Sequence, residues 1–220
     1  AGLTLGGGLG ADARQWGLTC DVLESATVVL PSGEVVTASP TDRDDLYWAL
    51  RGGGGGHFGI VTSFTFRTFP AVSRDVVTLE FPESAAAQAI AGWSTWLSAA
   101  PRSTWGMVNI GGSDAGLQCH VIAATAARNG SAAAEGLIAA IGSTPIGNSR
   151  KAFNHMDFVH YFEGGADATR PRAVVAGSDV IGEMTPAAAQ AIVDVMSRAR
   201  VSASVVVESL SGAVNDIAPD

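Results

Sequence analysis

The sequence has 220 residues and a formal net charge of −8; 47% of its residues are hydrophobic and only 15% are charged. This composition predicts a globular chain with a sizeable core and excludes a disordered one. The acidic balance argues against nucleic acid or an anionic membrane as a partner. The sequence also has no run of about 18 apolar residues that would predict a membrane span.

The first third of the chain contains two glycine-rich loops separated by a predicted hairpin. Apolar alternation and turn residues carry these predictions. In chain order we expect a strand end at 3–5, a glycine loop at 6–10, a helical turn at 12–16 that stops at Gly17, and hairpin strands at 23–30 and 35–38.

The second glycine loop follows a predicted helix at 44–50 and precedes a predicted strand at 60–69. Gly54, Gly56 and Gly59 match G-x-G-x-x-G, but the dinucleotide fingerprint needs a strand before the loop and a helix after it. The reversed order excludes that fold for this loop. A phosphate-loop NTPase is excluded as well, because no Gly-Lys-Ser/Thr follows.

The first loop matches the fingerprint only in part. Gly6, Gly8 and Ala11 fit G-x-G-x-x-A after a strand, but the next helix is too short and a hairpin stands where a crossover is needed. Glycines still supply positive φ and bare backbone amides, which can form a nest for an anion such as pyrophosphate. The alternative is a flexible loop between two elements, and spacing alone leaves both open.

The rest of the chain alternates paired strands with helices, which predicts an α+β layer with helices on one face of a largely antiparallel sheet. Ser131 and Thr185 are predicted helix N-caps, and 111–114 is a predicted hairpin turn. The predicted strands cover 76–81, 105–110, 117–123, 153–162, 173–181 and 202–210, and the predicted helices cover 84–99, 131–141 and 185–199.

Three segments resemble segments of one known family, and they occur along this chain in the same order as in that family. They read WALRGGGGGHFGIVTSF at 48–64, GLTLGGGLGADARQWGLTCDVLESATVVLPSGEVV at 2–36, and VVVESLSGAVNDIAPD at 205–220. These segments resemble FAD-linked oxidases of the berberine bridge enzyme type, in the vanillyl-alcohol oxidase superfamily with a PCMH-type FAD-binding domain. The resemblance implies that 1–72 is the second part of the FAD-binding domain and 73–220 an incomplete substrate domain.

The resemblance implies FAD as cofactor, bound by backbone groups of both loops. Relatives of this type often bind FAD covalently through a His and sometimes a Cys, both upstream of the position of Ala1, so no residue here is assigned that link. Where the family usually has a small polar residue, this chain has His57, so no side-chain role is carried over to that position. The residues implied to bind FAD are Gly6, Gly7, Gly8, Gly10, Gly54, Gly55, Gly56, Gly59, Ile60 and Val61.

The chain is about half as long as members of that family and begins inside a glycine motif. We therefore expect a fragment that binds FAD poorly or not at all by itself. Its location, secreted or cytoplasmic, is not readable from the sequence.

Candidates for acid–base chemistry lie in the second half of the chain. Glu208 is an acid within an apolar run, so it is either a buried general base or a solvent-facing side chain. Tyr161 shares a predicted strand face with His155 and Asp157, while His160 lies on the opposite face. Histidine and cysteine spacing fits no metal motif, so no metal site is expected. The family's usual tyrosine base lies beyond the last residue.

The sequence therefore predicts the remnant of an FAD-dependent oxidase. By resemblance, the parent oxidises an alcohol, a sugar or an aromatic natural product, transfers hydride to flavin and reduces O2 to hydrogen peroxide. Its partners are a small-molecule substrate and O2. The alternative is a flavin-free binding or structural module that keeps the scaffold without catalysis.

Overall fold

The computed structural model describes residues 1–162 and 175–217, which form two compact units. Ala1–Pro70 belongs to the first unit, together with the described residues from Leu210 onward. Ala71–Ser209 contains the second unit. The sequence predicted a division between residues 72 and 73, with everything after it in the second domain. The grouping differs in one respect, because the described residues from Leu210 onward pack with the first unit. The chain thus leaves the first unit once and returns to it.

The first unit has a small antiparallel sheet with strand order β2-β1-β3. Its core contains Val28 and Ala38, both 0% exposed, and Leu50 of the helix that precedes the second glycine loop. Its elements are α1 (Gly2–Leu5), α2 (Ala13–Trp16), β1 (Leu23–Val29), β2 (Val35–Ala38), α3 (Asp44–Leu50) and β3 (Ile60–Phe66), with short 3-10 helices at Thr19–Val22 and Gly212–Asp216.

The second unit has a five-stranded antiparallel sheet with strand order β7-β4-β6-β5-β8. Its elements are β4 (Arg74–Phe81), α4 (Ala86–Ala99), β5 (Trp105–Ser113), β6 (Gly116–Ala126), α5 (Gly130–Ile141), β7 (Gly147–Phe153), α6 (His155–Phe162), α7 (Pro186–Met196) and β8 (Ala203–Glu208). The predicted α+β class with helices over an antiparallel sheet is confirmed.

Strand periodicity gives this sheet two different faces. On β5, Val108 and Ile110 are 0% exposed and belong to the core shared with α4, α5 and α7. Side chains alternate along a strand, so Trp105, Met107 and Asn109 lie on the opposite face. We call the face opposite α4, α5 and α7 the open face. Each fully buried aliphatic side chain of the inner face contributes roughly 1.5–3 kcal/mol to folding.

Two predicted helices are confirmed with their local signals. The helix predicted at 44–50 is α3. At the start of α7, the Thr185 hydroxyl accepts a hydrogen bond from the Ala188 N–H at 3.1 Å, and Pro186 occupies the first helical position. These signals are local, because a cap and the residues it bonds lie within one turn.

The strand predicted over 153–162 is wrong. β7 ends at Phe153, and α6 begins at His155. Asn154 interrupts the strand, because its side-chain carbonyl accepts the Asp157 N–H at 2.9 Å and starts a helix. His155, Asp157 and Tyr161 therefore do not share a strand face. Most of β7 lay outside every predicted element.

Three further predictions are corrected. The strand end at 3–5 is α1, in which the Leu5 N–H bonds the Ala1 carbonyl at 3.0 Å. β5 continues through Ser113, so the hairpin turn lies at 114–115 and not at 111–114. Of the strand predicted over 173–181, residues 175–181 have no regular structure, and 173–174 lie outside the described residues. None of the helices in the described part of the chain is long and apolar enough to cross a membrane.

The N-terminus of α5 is capped by a residue distant in sequence, not by the predicted Ser131. The Gly130 N–H donates to Oδ2 of Asp75 at 3.0 Å, and Asp75 is only 8% exposed. This bond joins α5 to β4.

We expect Asp75→Ala to lower the free energy of unfolding by about 1–2 kcal/mol, because it removes a buried cap. Denaturant unfolding measures the change, and Glu135→Ala on the exposed surface of α5 is the matched control. Equal losses in the two variants would show that the Asp75 cap contributes nothing specific.

Candidate functional site

The two glycine loops meet at the end of α1. The Leu5 carbonyl accepts a hydrogen bond from the Gly54 N–H at 2.8 Å. A Cβ on Gly55 would lie 3.8 Å from Cδ1 of Leu5. Leu5 is itself buried at 5% exposure, so its position is fixed by the core of the first unit. The fold therefore brings together two stretches about fifty residues apart in sequence.

A carboxylate and a guanidinium join the 3-10 helix Thr19–Val22 to the end of α3. Asp21 accepts the Leu18 N–H on Oδ2 at 2.7 Å, and its Oδ1 lies 3.6 Å from Nη2 of Arg51. Arg51 Nε also donates to the Cys20 carbonyl at 3.1 Å. The Asp21 side chain is 8% exposed and that of Arg51 is 22% exposed, so solvent and salt screen this pair less than a fully exposed one. Sequence reasoning missed both residues, although each is a charge beside a glycine motif.

Some glycines are required by packing within the chain. Gly59 has φ 147°, and a Cβ there would lie 2.6 Å from the Val29 carbonyl oxygen. Gly8 has φ 86°, and a Cβ there would lie 2.5 Å from the Thr19 side chain. These two positions need glycine whether or not a ligand is bound.

Other glycines leave backbone open to the outside. A Cβ on Gly10 or on Gly56 would meet no atom within 4 Å. The side chain of Ile60, just after the second loop, is 71% exposed. Bare backbone next to an exposed aliphatic side chain is the surface that a flat cofactor with a diphosphate needs, so these residues fit FAD.

The remaining residues predicted to bind FAD belong neither to the glycines required by packing nor to the residues that leave open backbone. Gly7 and Gly54 have positive φ, and Val61 is packed against the core of the first unit. A Cβ on Gly6 would lie 3.3 Å from the Gly2 carbonyl. Assignment of all ten residues to FAD stays a prediction.

A cavity of about 330 Å³ lies beside the first glycine loop. Its wall includes the stacked rings of Trp16 and Phe69, whose centroids are 5.2 Å apart. The residues lining it are Gly8, Gly10, Asp12, Ala13, Trp16, Gly17, Leu18, Thr19, Val22, Phe66, Arg67, Thr68 and Phe69. The first loop thus opens onto a largely apolar space.

In the second unit, Glu208 is the last residue of β8 and is half-buried. Its Oε1 accepts a hydrogen bond from Nε1 of Trp105 at 2.6 Å. Glu208 on β8 lies opposite Met107 on the neighbouring strand β5. Trp105, two residues before Met107, is therefore the diagonal neighbour of Glu208 on the open face. Glu208 is therefore neither in the apolar core nor free in solvent.

Tyr161 lies in α6, not on a strand. The residue is 40% exposed, and the centroid of its ring lies 4.9 Å from that of Phe153 and 4.9 Å from that of Phe162. The Lys151 ammonium is 5.5 Å from the ring centroid. These contacts account for the position of the Tyr161 ring by packing alone. The assignment of a catalytic role to Tyr161 stays a prediction.

Histidines and cysteines do not gather in the described ranges. Within residues 1–162 and 175–217, no three His, Cys, Asp or Glu side chains come close enough to hold a metal ion. Burial, followed by the charge of Asp21, raises the pKa of Cys20. Burial raises the pKa of Cys119 to about 12. Both thiols therefore favour the protonated form, which is the poorer nucleophile.

Comparison with curated proteins finds FAD-linked enzymes, while no protein-family model matches the sequence. Xylooligosaccharide oxidase of Thermothelomyces thermophilus is 44% identical over 101 residues, which are 44% of this chain and 20% of that protein. Glucooligosaccharide oxidase of Sarocladium strictum is 54% identical over 70 residues, 32% of this chain and 14% of that protein.

Solved structures match over more of the chain. The berberine-bridge-enzyme-like protein 1 of Physcomitrella patens aligns with all of this chain and 50% of its own, with a TM-score of 0.78 and 21% identity. The glucooligosaccharide oxidase of Acremonium strictum, which carries a 6-S-cysteinyl, 8α-N1-histidyl FAD, aligns with 99% of this chain and 49% of its own, with a TM-score of 0.78 and 24% identity.

These comparisons define a class: the homologues of this chain are FAD-linked oxidoreductases. More particularly, its fold is that of the berberine-bridge-enzyme-like oxidases, which confirms the resemblance seen in the sequence. The chain spans about half the length of these solved structures and at most about a fifth of the curated relatives aligned above.

Proposed function

We propose that this chain serves an FAD-dependent oxidase that oxidises an alcohol, a sugar or an aromatic natural product. The observation that carries the proposal is the meeting of the two glycine loops at Leu5, with open backbone at Gly10 and Gly56. The named relatives support it, because they include oxidases of xylooligosaccharides and glucooligosaccharides.

When bound, FAD would supply a two-electron acceptor for a substrate hydride, and its reoxidation by O2 would give hydrogen peroxide. The chain supplies position and charge. Backbone N–H groups of the two loops would bind the diphosphate and the ring edge. The Asp21–Arg51 pair joins the end of α3 to the 3-10 helix Thr19–Val22, whose N–H groups bond the first loop.

Glu208 is the proposed general base. Its carboxylate would take the hydroxyl proton of an alcohol substrate, whose C–H hydride would go to the flavin as the C–O bond becomes a carbonyl. Because Oε1 already accepts a hydrogen bond from the Trp105 indole, the other oxygen, Oε2, is the proposed acceptor of that proton. General base catalysis of this kind contributes about 10²–10⁴-fold in rate.

Reconstitution tests the proposal. A protein that contains this chain and has the full length of the solved relatives is incubated with FAD, freed of unbound cofactor, and examined for a flavin absorption band and for peroxide release with oligosaccharides, simple alcohols and aromatic alcohols. We expect bound flavin and substrate-dependent peroxide. A folded, colourless protein that releases no peroxide would refute the oxidase and favour the flavin-free module.

A further inference from the structure

A short hydrogen bond joins the proposed base to a buried indole. Trp105 Nε1 and Glu208 Oε1 are 2.6 Å apart, and Trp105 is only 5% exposed. An indole has one donor and no acceptor, so Trp105 can only donate here. Hydrogen bonds to an ionised carboxylate are shorter and about twice as strong as neutral ones. This bond therefore fixes one of the two carboxylate oxygens.

The indole is held in turn by an aromatic cluster of the second unit. The Trp105 ring meets Phe162 edge to face, with centroids 4.8 Å apart and planes at 73°. Phe162 meets Phe158 at 5.2 Å and 72°, and Phe158 is 1% exposed. The Arg74 guanidinium carbon lies 5.3 Å from the Phe158 ring centroid. Such packing restricts the ring of Trp105 to one orientation.

Burial alone does not explain the bond. Trp93 of the same unit is 2% exposed, yet its Nε1 has no hydrogen-bond partner among the described residues. A buried indole in this unit is thus tolerated without an acceptor. The pairing of Trp105 with a carboxylate is a separate feature of the open face.

We propose that Trp105 is a positioning residue for Glu208, an inference that rests on the proposed function. Its N–H holds Oε1, and the packed indole restricts the rotation of the Glu208 side chain. Oε2 is then presented to the substrate hydroxyl in one geometry. A flexible glutamate would have to be ordered in each catalytic cycle, and a base held in place avoids that cost.

The first test reads the bond without any cofactor. The five tryptophans give five indole N–H signals in a nitrogen–proton correlation spectrum, and Trp105→Phe assigns the signal of interest. We expect Glu208→Gln to shift the Trp105 signal strongly and to speed its solvent exchange. The Trp93 signal is expected to stay in place. An unmoved Trp105 signal in a folded Glu208→Gln protein would overturn the inference.

The second test is kinetic and uses the flavin-loaded protein with whichever substrate releases peroxide. Trp105→Phe keeps an aromatic ring and removes the donor, so we expect kcat to fall about tenfold to hundredfold with little change in KM. Trp93→Phe is the matched control for the loss of a buried indole. An unchanged kcat in Trp105→Phe, or an equal fall in both variants, would refute a positioning role.

The two tests separate this inference from the proposed function. If Glu208→Gln moves the indole signal but leaves turnover intact, the bond exists and Glu208 is not the base, so the proposed mechanism fails and the positioning role fails with it. If Glu208→Gln abolishes turnover but leaves the indole signal unmoved, the base assignment stands and the positioning role of Trp105 fails alone.

Discussion

Glu208→Gln is expected to reduce turnover about 10²–10⁴-fold, the contribution of a well-placed general base. Glutamine keeps the shape of the side chain and can still accept a hydrogen bond from Trp105, but it cannot take a proton from a substrate hydroxyl. The expected loss is therefore in kcat, with the flavin spectrum and thermal stability unchanged.

Peroxide release at saturating substrate measures this loss, and single-turnover flavin reduction shows whether it lies in hydride transfer. Glu24→Gln, at an exposed position on β1, is the control for loss of one negative charge. If Glu208→Gln keeps turnover within a few-fold of the original protein, the proton acceptor is another group.

Gly59→Ala is expected to destabilise the first unit by about 3 kcal/mol or more. A side chain at φ 147° costs about 1–3 kcal/mol in backbone strain. The new Cβ would also lie 2.6 Å from the Val29 carbonyl oxygen and 2.8 Å from Cγ1 of Val28, so β1 and β3 would have to separate. Denaturant unfolding of the chain measures the loss.

Gly10→Ala is the contrasting variant. Its Cβ meets nothing within 4 Å, so we expect stability to change by less than about 0.5 kcal/mol. Flavin retention, measured by absorbance after gel filtration, is expected to fall, because the added methyl group occupies space needed by the cofactor. Full flavin retention in Gly10→Ala would remove Gly10 from the binding surface.

The sequence predicted best those elements whose signals are local. Helix α3 was found from the helical spacing of its apolar residues, and the start of α7 from its Thr185 cap and the proline that follows. All of these signals lie within a few residues of one another. The strand prediction at 153–162 was wrong for a reason that is also local in sequence. Its aromatic residues suit a strand or a helix, and the Asn154 side chain decides in favour of the helix.

The site was predictable only in part. Glycine motifs indicated the two loops, but no local pattern shows which glycines are needed for packing and which leave open backbone. Partners distant in sequence were invisible for the same reason. Trp105 and Glu208 are separated by 103 positions, and Asp75 caps a helix that begins 55 positions later. The first pair is defined by strand register and the second by the packing of α5 on β4, and a single sequence reveals neither.

The return of the tail to the first unit has a consequence for folding. Arg14, only 4% exposed, donates from Nε to the Ser211 hydroxyl at 3.0 Å, across 197 positions of sequence. The second unit is by contrast one continuous stretch, Ala71–Ser209. During synthesis, the stretch up to Ser209 can fold as it emerges, whereas Arg14 gains its Ser211 partner only after residue 211 has been made. Completion of the first unit, and of the proposed cofactor surface within it, therefore requires that translation has passed Ser211.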